Sequence, residues 1–132
     1  MTLEDVLTWL KSLDIKSDYY YCGTLNSKKP KSFGVYQLGT RQPRQIAVGG
    51  LYVTKSSVKG VAILVHWTQS SRESENTALA LYKAIEETGR TEIGGKKVCY
   101  LELPYNEPVS VGTDDGGVFE FVIDIIFHYE RS

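Results

Sequence analysis

The sequence predicts an α+β domain, and three observations indicate this fold class. Residues 61–67 form an apolar run rich in β-branched side chains, typical of a strand covered on both faces, and a helical pattern follows over 71–88. Residues 2–13 have a second helical pattern with one apolar face. Residues 118–130 alternate as a strand does, with aromatic and aliphatic side chains on one face.

The first helix is predicted from its start and from its periodicity. Thr2 precedes an acidic first turn, Glu4 and Asp5, which favours a helix N-terminus here. Trp9 lies on the flank of the apolar stripe, so it is either part of the core, which we expect, or an exposed contact. The stripe itself consists of Leu3, Val6, Leu7, Leu10 and Leu13.

The strand at 61–67 is predicted to lead through a polar turn into the second helix. Ser70 and Glu73 have the spacing of a capping box, and Gly89 marks the expected end of the helix. The apolar positions i, i+3, i+4 and i+7 are Ala78, Leu81, Tyr82 and Ile85. We expect this helix to pack across a sheet made from the most apolar segments, which are 61–67, 98–103 and 118–130.

Shorter segments complete the predicted sheet. Residues 46–53 are ambiguous, because Gly49 and Gly50 either bend one strand or separate two. Residues 24–32 contain three lysines and a proline without periodicity, which predicts a mobile loop that becomes ordered in an assembly. Further strands are expected at 18–23, 32–38 and 98–103, hairpin turns at 93–96 and 114–117, and a loop between Pro104 and Pro108.

The last predicted strand is unusually long. Thirteen extended residues, 118–130, would span about 44 Å, which is more than a small sheet usually needs. The strand is therefore expected to bulge, to bend, or to project and pair with another chain.

Length and composition indicate one globular domain, 1–132, without internal repeats. No apolar run approaches the roughly 20 residues that a membrane helix needs. The N-terminus lacks the basic and then apolar pattern of a secretory signal. Cys22 and Cys99 lie far apart in strand-like runs, so we expect buried thiols rather than a disulfide, in a reducing cytoplasm.

Charge is strongly segregated along the chain, although the net charge is only −1. Residues 19–72 contain eight basic residues and no Asp or Glu, whereas the other residues contain sixteen acidic side chains against seven basic ones, a net −9. This asymmetry suits docking on a complementary partner or stacking of copies. Alternatively, the lysines only keep a loop solvated. The candidate assembly or partner contacts are Lys28, Lys29, Lys31, Arg41 and Arg44.

The same basic residues, with nearby tyrosines, suit phosphate contact and base stacking. The domain as a whole is slightly acidic, however, and it has no recognition helix rich in Arg and Asn. These features argue against direct DNA binding.

No catalytic, metal or cofactor site is predicted. His66 lies in an apolar strand, where a hydrogen-bonded structural role is the common one, and His128 has no reason to meet it. Asp114 and Asp115 precede two glycines, which suits a turn, and they lack the repeated oxygen spacing of a calcium loop. Residues 94–97 lack the first glycine and the Ser or Thr of a phosphate loop. We therefore expect a protein that is not an enzyme.

Two blocks resemble segments of known phage proteins. Residues 63–85, ILVHWTQSSRESENTALALYKAI, resemble the strand–helix segment of small minor capsid proteins in tailed phages and prophages of Gram-positive bacteria. Residues 107–130, EPVSVGTDDGGVFEFVIDIIFHYE, resemble their C-terminal segment, in which a threonine and acids precede a long strand. The resemblance covers most of the chain but not 24–56. These proteins are similar to tail terminator and head–tail joining proteins, which form rings at the neck of the virion.

The resemblance implies a central, mostly antiparallel sheet with two amphipathic helices packed on one side. It implies a structural virion protein at the head–tail junction, present in the bacterial host cytoplasm before assembly. It also implies a ring, a hexamer by resemblance, between the phage connector and the tail-tube proteins. Two alternatives stay open: a minor capsid or decoration protein on the head, and a small bacterial module that binds a ligand or nucleic acid.

Overall fold

The computed structural model describes residues 1–24, 29–38 and 56–130, so the ambiguous segment 46–53 lies outside the described residues. Two helices and seven strands occur in these ranges. In chain order the elements are α1 (Leu3–Ser12), β1 (Tyr19–Cys22), β2 (Ser32–Gln37), β3 (Ser56–His66), α2 (Ser71–Glu86), β4 (Thr91–Ile93), β5 (Lys96–Glu102), β6 (Val109–Thr113) and β7 (Phe119–Glu130).

The long strand β7 lies at the centre of a seven-stranded sheet. The strand order is β1-β2-β3-β7-β5-β4, and β6 also pairs with β7. β3 pairs antiparallel with β7 from Ser56↔Glu130 to His66↔Glu120. On the other edge of β7, β6 pairs with residues 119–122 and β5 with residues 126–129. Two short strands therefore share one edge of β7, so of the three alternatives for this strand, projection to pair with another chain is not the one observed.

The predicted fold class, an α+β domain with a central, mostly antiparallel sheet and two helices packed on it, is wrong. The described chain is dominated by strands, and its sheet is mixed, because β1 runs parallel to β2. β6 branches from the main path instead of extending it. The prediction failed because the strand patterns at 18–23 and 32–38 indicate extended backbone but carry no information about relative direction.

The sheet is curled, as the position of α1 shows. This helix contacts β1 and β2 at one end of the sheet and β4 at the other. In a flat sheet, β1 and β4 would lie about 24 Å apart. That distance is roughly twice the diameter of a helix, so a single helix could not contact both strands. At the turn between β4 and β5, a Cβ placed on Gly94 would lie 2.4 Å from Asp5 Oδ2. Gly94 also has a φ of 59°, so both the turn and the helix contact require glycine.

Both helices begin close to where they were predicted. Thr2 Oγ1 accepts a hydrogen bond from Asp5 N–H at 3.1 Å, and Asp5 Oδ2 accepts one from Thr2 N–H at 2.8 Å. The bond that the Thr2 N–H donates to the Asp5 carboxylate is the main cause that lowers the pKa of Asp5. In α2, Ser70 Oγ accepts from Glu73 N–H at 3.2 Å, but the return bond of a capping box is not formed. The helix ends at Glu86, before the predicted stop at Gly89.

One hydrophobic core joins the helices to a single face of the sheet. The sheet contributes alternate buried residues, which are Phe33, Val35, Val61, Ile63, Val65, Phe121, Ile123, Ile125 and Phe127. Leu10 of α1 and Leu81 of α2 are fully buried against them. Trp9 is also buried, with its ring centroid 5.5 Å from that of Phe127 in an edge-to-face arrangement. The prediction that Trp9 belongs to the core is confirmed.

The two cysteines are free thiols, as expected, but neither is buried. Cys22 is half-buried and Cys99 is exposed, so the expectation of two buried thiols is wrong. Cys99 is exposed on β5, where the pairing with β7 is irregular between Val98 and Tyr100. Separately, neither helix in the described part of the chain is long and apolar enough to cross a membrane.

Candidate assembly surfaces

Two of the five predicted contact residues, Lys29 and Lys31, lie within the described residues. Lys29 Nζ lies 5.4 Å from the centroid of the Tyr19 ring, a cation–π contact with β1. Lys31 Nζ lies 3.8 Å from Glu73 Oε1. The other three predicted residues, Lys28, Arg41 and Arg44, are outside the described ranges.

The contact between Lys31 and Glu73 qualifies the charge segregation seen in the sequence. Glu73 belongs to the acidic part of the chain, yet the fold places it against the basic part. Both side chains are nearly half exposed, so the pair contributes little to stability. It nevertheless reduces the separation of charge at this point of the surface.

The second half of the predicted mobile loop is fixed by hydrogen bonds. Lys31 has a left-handed φ of 55°, its N–H donates to Trp67 O at 2.8 Å, and its carbonyl accepts from Asp18 N–H at 2.9 Å. The buried Ser32 Oγ donates to Lys29 O at 2.7 Å. Residues 29–32 of the predicted loop thus have defined hydrogen-bond partners, and residues 25–28 lie outside the described part. That residues 24–32 become ordered only in an assembly stays a prediction.

His66 is a buried residue held by two carboxylates. Its Nδ1 lies 2.9 Å from Glu120 Oε2, and its Nε2 lies 3.7 Å from Asp114 Oδ2. Asp114 Oδ1 accepts hydrogen bonds from Gly116 N–H and Val118 N–H, both at 2.9 Å. The carboxylate thus stabilises the turn before β7, as its sequence predicted. The arrangement ties the end of β3 to the β6–β7 turn, and it matches the predicted hydrogen-bonded histidine.

His128 has partners of its own. Its Nε2 lies 2.8 Å from Glu102 Oε1, and its ring stacks on Tyr100 with centroids 4.1 Å apart. Across residues 1–24, 29–38 and 56–130, no group of three His, Cys, Asp or Glu side chains is placed to hold a metal ion.

β6 is a candidate surface that the sequence analysis missed. All five of its residues are exposed, and Val109 and Val111 are 41% and 52% exposed. Leu79 of α2 and Pro108 line a groove beside this strand, together with Glu75, Glu107, Ser110 and Phe121. The alternation of two valines is a strand signal, but it is short and follows a proline, so the sequence assigned no element to residues 109–113.

The sheet face opposite the helices is a second surface. Ala62, Leu64 and Val122 lie there, and each is half-buried. Asp124 shares this face, and no hydrogen bond or ion pair reaches its carboxylate from the described residues. Burial raises the pKa of Asp124. Nearby, burial together with the Glu120 carboxylate raises the pKa of Tyr36.

Comparison with protein families decides the class of protein. A family model described as bacteriophage tail terminator protein matches residues 4–131. The chain belongs to the bacteriophage tail terminator family. A comparison with curated proteins found no match. As a member of the tail terminator family, the protein is a structural component of a phage virion, in the tail or the head–tail region.

For this tail terminator we expect Asp124→Asn to raise the free energy of unfolding at pH 7. The folded-state pKa of Asp124 lies above its unfolded value, so ionisation costs stability as the pH rises above about 3.8. The gain should be less than about 1 kcal/mol at this half-buried position, and it should vanish near pH 3. Urea unfolding at both pH values would measure it.

Asp115→Asn is the matched control, because it removes the same charge from an exposed turn residue. An Asp124→Asn variant with the same change in stability at pH 3 and pH 7 would contradict the electrostatic explanation.

Proposed function

We propose that the protein is a tail terminator that acts at the head–tail junction by forming a closed ring, and that it catalyses no reaction. The observation that carries the proposal is the family match over residues 4–131. The ring is proposed to be a hexamer, with the phage connector on one side and the tail tube on the other. Before assembly the protein would reside in the cytoplasm of the bacterial host.

Two structural observations support an assembly role. β1 and β6 are outer strands whose far edges have no strand partner among the described residues, so they offer backbone donors and acceptors to a neighbouring copy. In addition, the titratable cluster around His66 is engaged in bonds that fix a turn, and the histidine is fully buried. A buried histidine engaged in this way is poorly placed for acid–base chemistry on a substrate.

The support for a ring differs from what the sequence suggested. The length of 118–130 no longer argues for pairing between subunits, because β3, β5 and β6 pair with β7 inside one chain. The argument rests instead on the open strands and on unlike charge. Contacts between two different surfaces are heterologous, and they close into a ring when the rotation permits.

We expect the purified protein to self-associate, with the monomer as its dilute form. If charge contributes, association should weaken as salt rises past ~0.5 M, where the screening length falls below roughly 5 Å. Light scattering over a range of protein and salt concentrations would measure both effects. A strict monomer at the highest soluble concentration, with or without connector and tail-tube proteins, would contradict the ring.

The position in the virion needs a separate test. Antibody labelling of intact virions in the electron microscope should mark the neck, between head and tail. A label spread over the head shell would instead support the minor capsid or decoration alternative.

A further inference from the structure

Near the first half of β7 the sheet is a five-stranded layer whose outer strands are β1 and β6. The order there is β1-β2-β3-β7-β6, since β6 pairs with residues 119–122 and β5 only with residues 126–129. Among the described residues, β1 pairs with β2 alone and β6 with β7 alone. The layer therefore has an open strand on each side.

Both outer strands are short, but neither carries a charged residue or a proline, two of the features that block an exposed edge. Natural sheets place charged residues or proline on such strands to prevent pairing with other chains. β1 reads Tyr-Tyr-Tyr-Cys and β6 reads Val-Ser-Val-Gly-Thr, so neither carries a charge or a proline. The edge formed by β4 and β5 differs, because it carries Glu92, Lys96, Lys97 and Glu102.

Each open strand carries at least one exposed apolar or aromatic side chain. Val111 is 52% exposed and Tyr19 is 39% exposed. β6 does contain a bulge, between Ser110 and Gly112, but the bulge leaves Val111 exposed and introduces no charge. Both strands thus combine an open backbone edge with exposed apolar surface, and burial of that surface against another chain would be favourable.

The directions of the strands fit a head-to-tail arrangement. β1 is parallel to β2, β2 is antiparallel to β3, and β3 is antiparallel to β7, so β1 and β7 run the same way. β6 is antiparallel to β7 and therefore to β1. When two copies stand side by side in the same orientation, β6 of one copy meets β1 of the next as an antiparallel pair.

The charges beside the two strands differ. Glu75 and Glu107 line the groove next to β6, whereas Lys29 and Lys11 lie over aromatic rings of β1, which also has the exposed Asp18 beside it. Contact between unlike charges favours β6 against β1, and contact of β6 with a second β6 would bring the acidic grooves together.

We propose that β6 of one copy pairs antiparallel with β1 of the next copy, so that the sheet continues from subunit to subunit. This proposal rests on the proposed ring, and it specifies which strands of neighbouring subunits meet in that ring. Each open strand is therefore proposed to pair with a strand of a second copy of this chain.

Two charge variants and their mixture test the interface. Val111→Lys places a cation against the basic side of the neighbour, and Tyr19→Glu places an anion against the acidic groove. Each variant alone is expected to be monomeric at concentrations at least tenfold above those at which the wild-type protein associates. Their equimolar mixture retains one intact β6 and one intact β1, and the two altered strands carry opposite charges, so light scattering should show association restored, beginning with heterodimers of about twice the monomer mass.

Tyr100→Lys is the matched control, since Tyr100 is 55% exposed on β5 and away from both open strands, and it should associate like the wild type. Wild-type association of both variants would overturn the interface while leaving the ring intact. Loss of association in Val111→Lys alone, without heterodimers in the mixture, would indicate pairing of β6 with β6 and would also overturn it. A monomeric wild-type protein would overturn the ring and the interface together.

A covalent measurement keeps the test valid if a charged variant fails to fold. In a Cys99→Ser background, Val111→Cys leaves one native thiol, Cys22 on β1, and one new thiol on β6. A short thiol cross-linker should then give a ladder of covalent multimers, with peptides that join Cys22 to the new thiol. Links only between two copies of the new thiol, or no multimers at all in a protein that associates, would overturn the proposed pairing.

Discussion

Replacing Ile123 with aspartate is expected to abolish soluble folding. Ile123 is 1% exposed and lies opposite Ile63 of β3, on the sheet face that the helices cover. A carboxylate there would be buried without a partner, which costs several kcal/mol. That penalty, on the order of 5 kcal/mol, is comparable with the whole stability of a small domain. Soluble yield and far-ultraviolet circular dichroism would measure the loss.

Val122→Asp is the control for this substitution. It adds the same charge one residue away, on the half-buried opposite face, and the variant should stay soluble. A folded Ile123→Asp protein beside an unfolded Val122→Asp protein would show that the two faces of β7 have been assigned the wrong way round.

Truncation of Phe127 to alanine is expected to lower the free energy of unfolding by about 3–5 kcal/mol. Phe127 is fully buried, and its ring meets Trp9 of α1 edge to face, with interplanar angle 88°. The substitution leaves a cavity at the place where α1 packs on the central strand, and the helix cannot close it without leaving β1 and β4. Urea or guanidinium unfolding would give the change.

Two further variants separate the aromatic contact between Phe127 and Trp9 from the effect of losing side-chain volume. Tyr100→Ala removes an aromatic ring that is 55% exposed, so its effect should be much smaller. A double-mutant cycle with Trp9→Ala should show a coupling of about 0.5–1.5 kcal/mol between the two rings. A loss below about 1 kcal/mol for Phe127→Ala would mean that α1 is not held by this contact.

The sequence predicted those parts of the fold that depend on neighbouring residues. Thr2 and Ser70 act as helix caps, the stripe that contains Leu10 is buried, and Gly94 and Gly95 form the turn between β4 and β5. Capping, helical periodicity and glycine turns act over a few residues, so their signals lie in short windows of sequence.

The features that sequence missed depend on distant parts of the chain. Residues 56–60 showed no strand pattern, yet they belong to β3, because residues 126–130 of β7 extend far enough to pair with them. β6 was missed for a related reason: all its side chains are exposed, so burial imposes no pattern on them. The direction of β1 and the curl of the sheet likewise depend on packing rather than on local preference.

The candidate contact residues stay a prediction. Charge segregation drew attention to Lys29 and Lys31, but it could not show that Glu73 lies beside Lys31. It also gave no hint of the open strands, since these contain no charged residue at all. A surface site that is defined by the absence of charged residues cannot be found from the charge pattern of the sequence.

The central place of β7 has a consequence for synthesis on the ribosome. Its partners in β3 precede it by 54 to 74 positions, and β7 follows every other element described here. Until β7 has left the exit tunnel, β6 has no strand to join, and β3 and β5 can pair only with β2 and β4, so the sheet stays in separate pieces. Contacts over such distances also form slowly. Nascent chains therefore cannot present the completed layer of strands until residue 130 has emerged from the tunnel, which delays association of this layer with a neighbouring copy.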